Sequence, residues 1–195
     1  MDWILASASP RRKELLRELI AEFDIIPAHG EEKDEGLREA ALVQALSAQK
    51  AREVACLPQA KNKAVLGADT IVALDGETLG KPKDERDAAR MLRALSGRSH
   101  EVYTGVCISL PTDTGGRKEY IAAAKTDVRF YALTEEQIAT YIKTGSPMDK
   151  AGAYGIQDGG LVESVNGSYS NVVGLPLELI KEMLRNIDTD GACTD

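Results

Sequence analysis

Aromatic residues are scarce. One tryptophan, two phenylalanines and six tyrosines make up 5% of the chain. A protein that reads single-stranded nucleic acid by stacking bases on exposed rings is therefore not expected. Histidine is scarcer still: His29 and His100 are the only two and lie far apart. That leaves no basis for a histidine-rich metal centre or a histidine-based nucleophilic triad. Cys56, Cys107 and Cys193 are scattered and odd in number. They fit reduced thiols of a cytoplasmic protein, with neither a disulfide framework nor zinc-ligand spacing. No apolar run is long enough to span a bilayer, and no secretory leader is expected ahead of the first apolar stretch. The formal net charge is −7, so neither nucleic acid nor an anionic membrane is expected as a partner. No G-x-x-x-x-G-K-[ST] is present, which excludes a P-loop, and no G-x-G-x-x-G follows the first strand, which weakens a Rossmann reading.

With 195 residues, 43% of them hydrophobic, the chain can bury a sizeable core as one domain, residues 1–195. Trp3 to Ala6 reads as a buried strand, followed by Ser9 as N-cap and Pro10 at the first position of a helix with Leu15, Leu16, Leu19 and Ile20 as its apolar face. Further strands are predicted over 23–27, 64–74, 77–79, 101–110, 119–124 and 126–132. Helices are predicted over 35–55, from an Asp84 cap to Gly97, from a capping box at Thr134 to Gly145, and over 177–187. Leu161 to Val165 and Ser168 to Val173 read as a hairpin about Asn166-Gly167. The alternation of strands and helices, with hairpins in the later part, predicts an α/β fold with a mixed sheet.

The chemistry concentrates at a few places. Arg11, Arg12 and Lys13 occupy a first helical turn, where cations oppose the macrodipole. With Ser7, Ser9 and the free N–H groups of the turn, they suit a polyanion. Asp69 interrupts an apolar strand just after Gly67, and a buried anion is costly there unless it is paired or works. No cation neighbours it in sequence, which favours a reaction centre. Lys81, on the return of the Asp75-Gly76 hairpin, comes back to about the level of Asp69. Lys50 reads equally as a surface lysine or a cation aimed at the same pocket. Glu31 and Glu32 read as solvated acids unless another carboxylate faces them across a metal. The glycine-punctuated stretch 146–157 reads as a connector or as a wall over a small ligand, with Gln157 able to donate to and accept from a base. His100 reads as a structural hydrogen-bonder. Together these parts suit metal-assisted hydrolysis of a phosphoanhydride.

The residues that carry this chemistry resemble the Maf family of nucleoside triphosphate pyrophosphatases. The matching stretches run from Leu5-Ala-Ser-Ala-Ser-Pro-Arg-Arg through Gly67-Ala-Asp-Thr70, Gly80-Lys-Pro82, Leu95-Ser-Gly-Arg-Ser-His100 and Met148-Asp-Lys-Ala-Gly-Ala-Tyr-Gly-Ile-Gln157 to Gly174-Leu-Pro176. The resemblance implies a mixed, curved sheet with flanking helices, and two lobes around a central cleft like that of the inosine triphosphate pyrophosphatases. It implies release of diphosphate from a nucleoside triphosphate, with a divalent cation, Mg²⁺ or Mn²⁺. Asp69 is then the proton acceptor, with Lys81 beside it. Arg12, Thr70 and Gln157 fall on positions that set base choice, with identities like those of the dTTP/UTP branch. Ser7, Arg11, Lys50 and Lys81 fall on phosphate-side positions, and Glu32 joins Asp69 on the metal side. Relatives also suggest a homodimer. Asp158-Gly159 departs from the family pattern, which places a glycine directly after the glutamine. The family's older label, septum formation inhibition, keeps a nucleotide-binding division regulator without turnover as the alternative, and a purine-directed pyrophosphatase as a third reading. All of these readings require Asp69 and the Arg11–Arg12 pair to face one crevice.

Overall fold

In the computed structural model, which describes residues 1–33 and 36–192, a seven-stranded mixed sheet carries helices on its faces. The strands are β1 (Trp3–Leu5), β2 (Asp24–Ile25), β3 (Ala64–Leu74), β4 (Glu77–Leu79), β5 (Ser99–Pro111), β6 (Arg117–Phe130) and β7 (Val162–Asn166). Their order is β2-β1-β3-β5-β6-β7, with β4 also on β3. β1 runs parallel to β2 and β3; the remaining pairs are antiparallel. The predicted mixed α/β fold is thus what the chain adopts.

One topological detail makes room for a site. β5 covers one edge of β3 from Val65 to Ala73. On the other edge, β1 pairs only with Ala64 to Leu66 and β4 only with Val72 to Leu74. Between them, Gly67 to Ile71 has no strand alongside among the described residues. Side chains from both faces of β3 reach the same gap there, although neighbouring residues of a strand point to opposite sides.

The helices are α1 (Pro10–Arg17), α2 (Glu39–Ala55), α3 (Glu85–Leu95), α4 (Glu135–Lys143), α5 (Tyr169–Val173) and α6 (Leu177–Ala192). Ser9 caps α1, Asp84 caps α3, and Thr134 and Gln137 form the expected capping box of α4. On one face of the sheet, α2 lies against β3 and β5 at unusually close range. A Cβ at Gly67 would stand 2.3 Å from the Ser47 carbonyl oxygen, and one at Gly105 would stand 2.1 Å from that of Val43. The opposite face is packed by Leu5, Leu16, Leu66, Ala68, Val106, Leu175 and Ile180. At the far end, α3 and α4 bury Leu92, Leu95, Ile138 and Phe130 with Tyr154. His100 sits in that core. Its Nε2 meets the Tyr154 hydroxyl at 2.8 Å, and both rings pack edge-on with each other and with Phe130. His100 is therefore the structural hydrogen-bonder expected.

Several expectations are corrected. The strands predicted over 119–124 and 126–132 are one strand, because β5 supplies a continuous partner from Ser99↔Arg129 to Pro111↔Arg117. The hairpin about Asn166-Gly167 does not form. Val162–Asn166 is a strand, but Ser168 Oγ accepts the Asn171 N–H as an N-cap and starts α5, which Gly174 ends at φ 123°. α2 begins at Glu39 rather than at 35, after a left-handed Gly36; residue 35 of the predicted span lies outside the described residues. The stretch 146–157 is wound into short 3₁₀ turns rather than left as an open connector. α6 runs past Ile187 to Ala192. Cys56 is exposed and Cys107 buried, both free; Cys193 lies outside the described residues. Among the described residues no helix is long and apolar enough to cross a membrane.

Two predictions follow from this packing. Gly67→Ala is expected to lower stability in urea unfolding by about 1–3 kcal/mol, because the added methyl meets helix backbone that cannot swing away. Gly80→Ala, where a Cβ meets nothing within 4 Å, is expected to leave stability unchanged. Burial lowers the His100 pKa from 6.5 to about 4. The unfolded chain therefore takes up a proton that the folded one refuses. The His100 contribution is complete above pH 6.5 and declines as the pH falls toward 4, by about 3 kcal/mol at most. Thermal melts across that window should show wild type losing stability faster than His100→Gln.

Candidate active site

The gap beside β3 opens into a cavity of about 520 Å³. Its wall includes Arg11, Arg12, Glu32, Lys50, Asp69, Thr70, Lys81 and Gln157, together with Asp149, Lys150 and Tyr154. Eight of the nine residues that the resemblance assigns to a site thus reach one space. The ninth, Ser7, stands behind Arg12, where its Oγ accepts from Arg12 Nη1 at 3.2 Å and from the Ser9 N–H at 3.3 Å.

The acid side is assembled by α2. Lys50 Nζ makes a short ion pair with Asp69 Oδ1 and lies 2.8 Å from Glu32 Oε1. The sequence-neighbour argument that left Asp69 without a cation is corrected here: a helix nineteen residues upstream supplies one. The close docking of α2 through Gly67 and Gly105 is what brings Lys50 to that point. The same helix fixes the loop that carries Glu32. Glu53 accepts the N–H groups of His29 and Gly30, which hold its carboxyl below the usual range. Gln49 accepts from the Lys33 N–H and donates to the Glu31 carbonyl. Asp69 itself is buried, with 8% of its surface exposed.

The cationic side is built by α1 and the turn after β4. Arg12 is fully engaged along one edge: Nε donates to Gly174 O at 2.8 Å, Nη1 to Ser7 Oγ and Nη2 to Thr70 Oγ1 at 3.1 Å. Burial lowers its pKa, with the Asp69 charge opposing that effect. Arg11 reaches across the cavity to Asp149, 3.2 Å away. Desolvation raises the Asp149 carboxyl, but the Lys150 hydrogen bond and the Arg11 and Lys150 charges outweigh it and hold it below its usual range. Lys81, two residues past the Val72↔Leu79 pair, is exposed on the wall with no partner among the described residues. Lys13 does not join this cluster: it lines a separate surface depression with Trp3, Arg17 and Lys63. The grouping of three cations at one spot is therefore reduced to Arg11 and Arg12.

The opposing wall is the 146–158 segment. Lys150 Nζ is held by Ser146 O, Ser146 Oγ and Asp149 Oδ1. Asp158, the departure from the family pattern, accepts from the Tyr141 and Ser146 hydroxyls at 2.5 and 2.6 Å. Gln157 lies exposed at the rim, directly before this anchor. Sequence reasoning missed Thr104 and Asn171. Thr104 Oγ1 is 2.9 Å from Thr70 Oγ1 and donates to Asn171 O at 2.9 Å. A polar residue inside the apolar strand over 101–110 was the available signal.

For a divalent cation, the donors on hand are two carboxylates, Glu32 and Asp69, which already converge on one positive charge. No group of three or more His, Cys, Asp or Glu side chains is arranged to hold a metal among the described residues. One or two carboxylates, with water and phosphate oxygens completing the set, is the donor pattern Mg²⁺ takes with nucleotides.

The Maf-like protein family matches residues 2–187. A dTTP/UTP pyrophosphatase of Agathobacter rectalis is 48% identical over 96% of this chain and 98% of its own length. One from Thermococcus gammatolerans is 49% identical over 91% of this chain and 92% of its own. Among solved structures, a HAM1 protein from Coxiella burnetii superposes over 95% of this chain and 99% of its own, with TM-score 0.55 at 15% identity, a likeness of fold. With the motif residues gathered at one cavity and the match running from the first strand into the last helix, the chain belongs to the Maf-like protein family.

Proposed function

We propose that this chain hydrolyses dTTP and UTP to the nucleoside monophosphate and diphosphate. The observation that carries the reading is the division of one cavity into a carboxylate pair, Asp69 and Glu32, and a facing set of cations, Arg11, Arg12 and Lys81. The names of the relatives agree with it.

In this reading the triphosphate lies along Arg11 and Lys81. Two unit charges about 4 Å apart interact by about 4 kcal/mol at an effective dielectric near 20. Several such contacts hold a polyanion well after its lost hydration is offset. Asp69 accepts the proton of a water that attacks the phosphorus nearest the sugar. The bond to the bridging oxygen breaks, and diphosphate leaves with the electron pair. Lys50, hydrogen-bonded to Asp69, orients that carboxylate for the proton transfer. Glu32 and Asp69 would hold a divalent cation, which would supply charge neutralisation on the phosphates. Arg12, Thr70 and Gln157 face the base. The cavity and the body around it form a single nucleotide-handling domain, and the reading needs neither nucleic acid nor membrane.

Asp69→Asn is expected to lower diphosphate release by about 10²–10⁴-fold while nucleotide binding, measured by calorimetry, persists. Chelation of divalent metal should abolish turnover, and Mg²⁺ or Mn²⁺ should restore it. A purified wild-type protein that binds nucleotide yet releases no diphosphate under any of these metals would favour the division regulator.

A further inference from the structure

The direction of the hydrogen bonds behind Thr70 determines what that residue offers to a ligand. Thr104 is fully buried and has one hydroxyl proton. Its oxygen lies 2.9 Å from Asn171 O, a carbonyl that can only accept. Without a proton between them, two lone pairs would face each other at that distance. The Thr104 proton is therefore committed to Asn171. The remaining contact, Thr70 Oγ1 to Thr104 Oγ1 at 2.9 Å, then has only one donor available, the Thr70 hydroxyl. Arg12 Nη2 donates to the same Thr70 oxygen. With its proton turned inward and one lone pair on Arg12, Thr70 has a single lone pair left for the cavity.

We infer that Thr104 is a positioning residue for base selection: by taking the Thr70 proton, it makes Thr70 an obligate acceptor beside the donor Arg12. This rests on the reading of the cavity as a nucleotide site. An acceptor next to a donor complements a ring N–H beside a carbonyl, the lactam edge. Uracil, thymine and hypoxanthine present that edge. Cytosine and adenine present the reverse, a ring nitrogen lone pair beside an amino group. A lone pair then meets a lone pair and an N–H meets an N–H, and neither group can rotate to relieve the clash while Thr104 holds the proton.

The same buried chain explains why Thr70 does not simply turn. Asn171, which receives the Thr104 proton on its main chain, is itself locked by its side-chain amide, which donates to Val102 O at 3.0 Å and to Thr126 Oγ1 at 2.9 Å. Asn171 O also accepts the Gly174 N–H at 3.1 Å, and Gly174 O in turn holds Arg12 Nε. The donor and the acceptor that face the base are thus set by one short helix, α5.

The test is diphosphate release from UTP, CTP, ITP and ATP by wild type, Thr104→Val and Thr104→Ser, with calorimetric binding of UMP and CMP to each. Wild type is expected to favour UTP over CTP and ITP over ATP. In Thr104→Val the Thr70 proton loses its inward acceptor and turns to the cavity, so the UTP:CTP ratio of kcat/KM should fall by about tenfold or more. Thr104→Ser should keep the wild-type ratio. General damage to the site lowers both substrates together and leaves the ratio unmoved. A folded Thr104→Val with the wild-type ratio overturns the inference, as does a Thr104→Ser that shifts equally. A wild type that prefers CTP or ATP overturns it whether or not the valine variant folds. If wild type binds nucleotide without turnover, the hydrolase reading fails and the UMP:CMP ratio of Kd decides this one. If it binds neither, both fall.

Discussion

The contact on which the rest of the molecule depends is the backbone-to-sheet approach of α2. Two missing Cβ atoms, at Gly67 and Gly105, let the helix lie against β3 and β5 with its carbonyls where side chains would otherwise stand. Interiors are packed too densely to absorb even one added carbon without displacement. Had either position carried a methyl, α2 would have to lift, and Lys50 would lift with it. The ion pair to Asp69 is made at the far end of a flexible side chain, but its geometry is inherited from this rigid docking. Glu53 and Gln49 on the same helix hold the loop that carries Glu32. One packing constraint thus fixes both carboxylates and the lysine between them.

How much of this was legible in the chain differs by element. The N-cap at Ser9, the capping box at Thr134 and the Asp84 cap were readable because the relevant bonds span three residues and need no tertiary partner. The mixed sheet was readable from periodicity. The segment 168–173 was misread because Val172 and Val173 look like strand residues, whereas the Ser168 cap and the burial of Asn171 decide for helix. Lys50 was undecidable because the pattern of α2 is apolar over much of its circumference, and only the close approach at Gly67 tells which side faces the sheet. Asp69 looked unpaired because its cation comes from another element. Lys13 looked like a member of the cation cluster because it adjoins Arg12 in sequence, but three consecutive helical residues span most of a turn and cannot all face one way.

The family motif and the physical reading meet at Thr70 but part behind it. In the proposed reading Thr70 and Arg12 stand beside the base. The motif says nothing about which way the Thr70 proton points, and a hydroxyl alone is ambivalent. Only the buried path through Thr104 to Asn171 removes the ambiguity, and its members are an ordinary threonine in a strand and an asparagine in a helix of five residues. Buried polar groups of this sort matter because they have no solvent to fall back on.

In the proposed reading, a polyanion meets two cavity cations that already carry anionic partners, whereas Lys81 has none among the described residues. Arg11 rests on Asp149, and Lys50 on Asp69 and Glu32. Each cation is thereby partly desolvated and oriented during folding, and an arriving phosphate exchanges one anionic partner for another. For Arg11 that exchange releases Asp149, whose other cation is Lys150. Lys150 is anchored through Ser146 to Asp158, next to Gln157 at the rim. If the phosphates lie along Arg11 as proposed, their arrival alters the charge balance of the segment that carries Gln157. In that reading the Arg11–Asp149 pair joins the phosphate-facing and base-facing halves of the cavity, because a charge removed from one end is rebalanced along hydrogen bonds already in place.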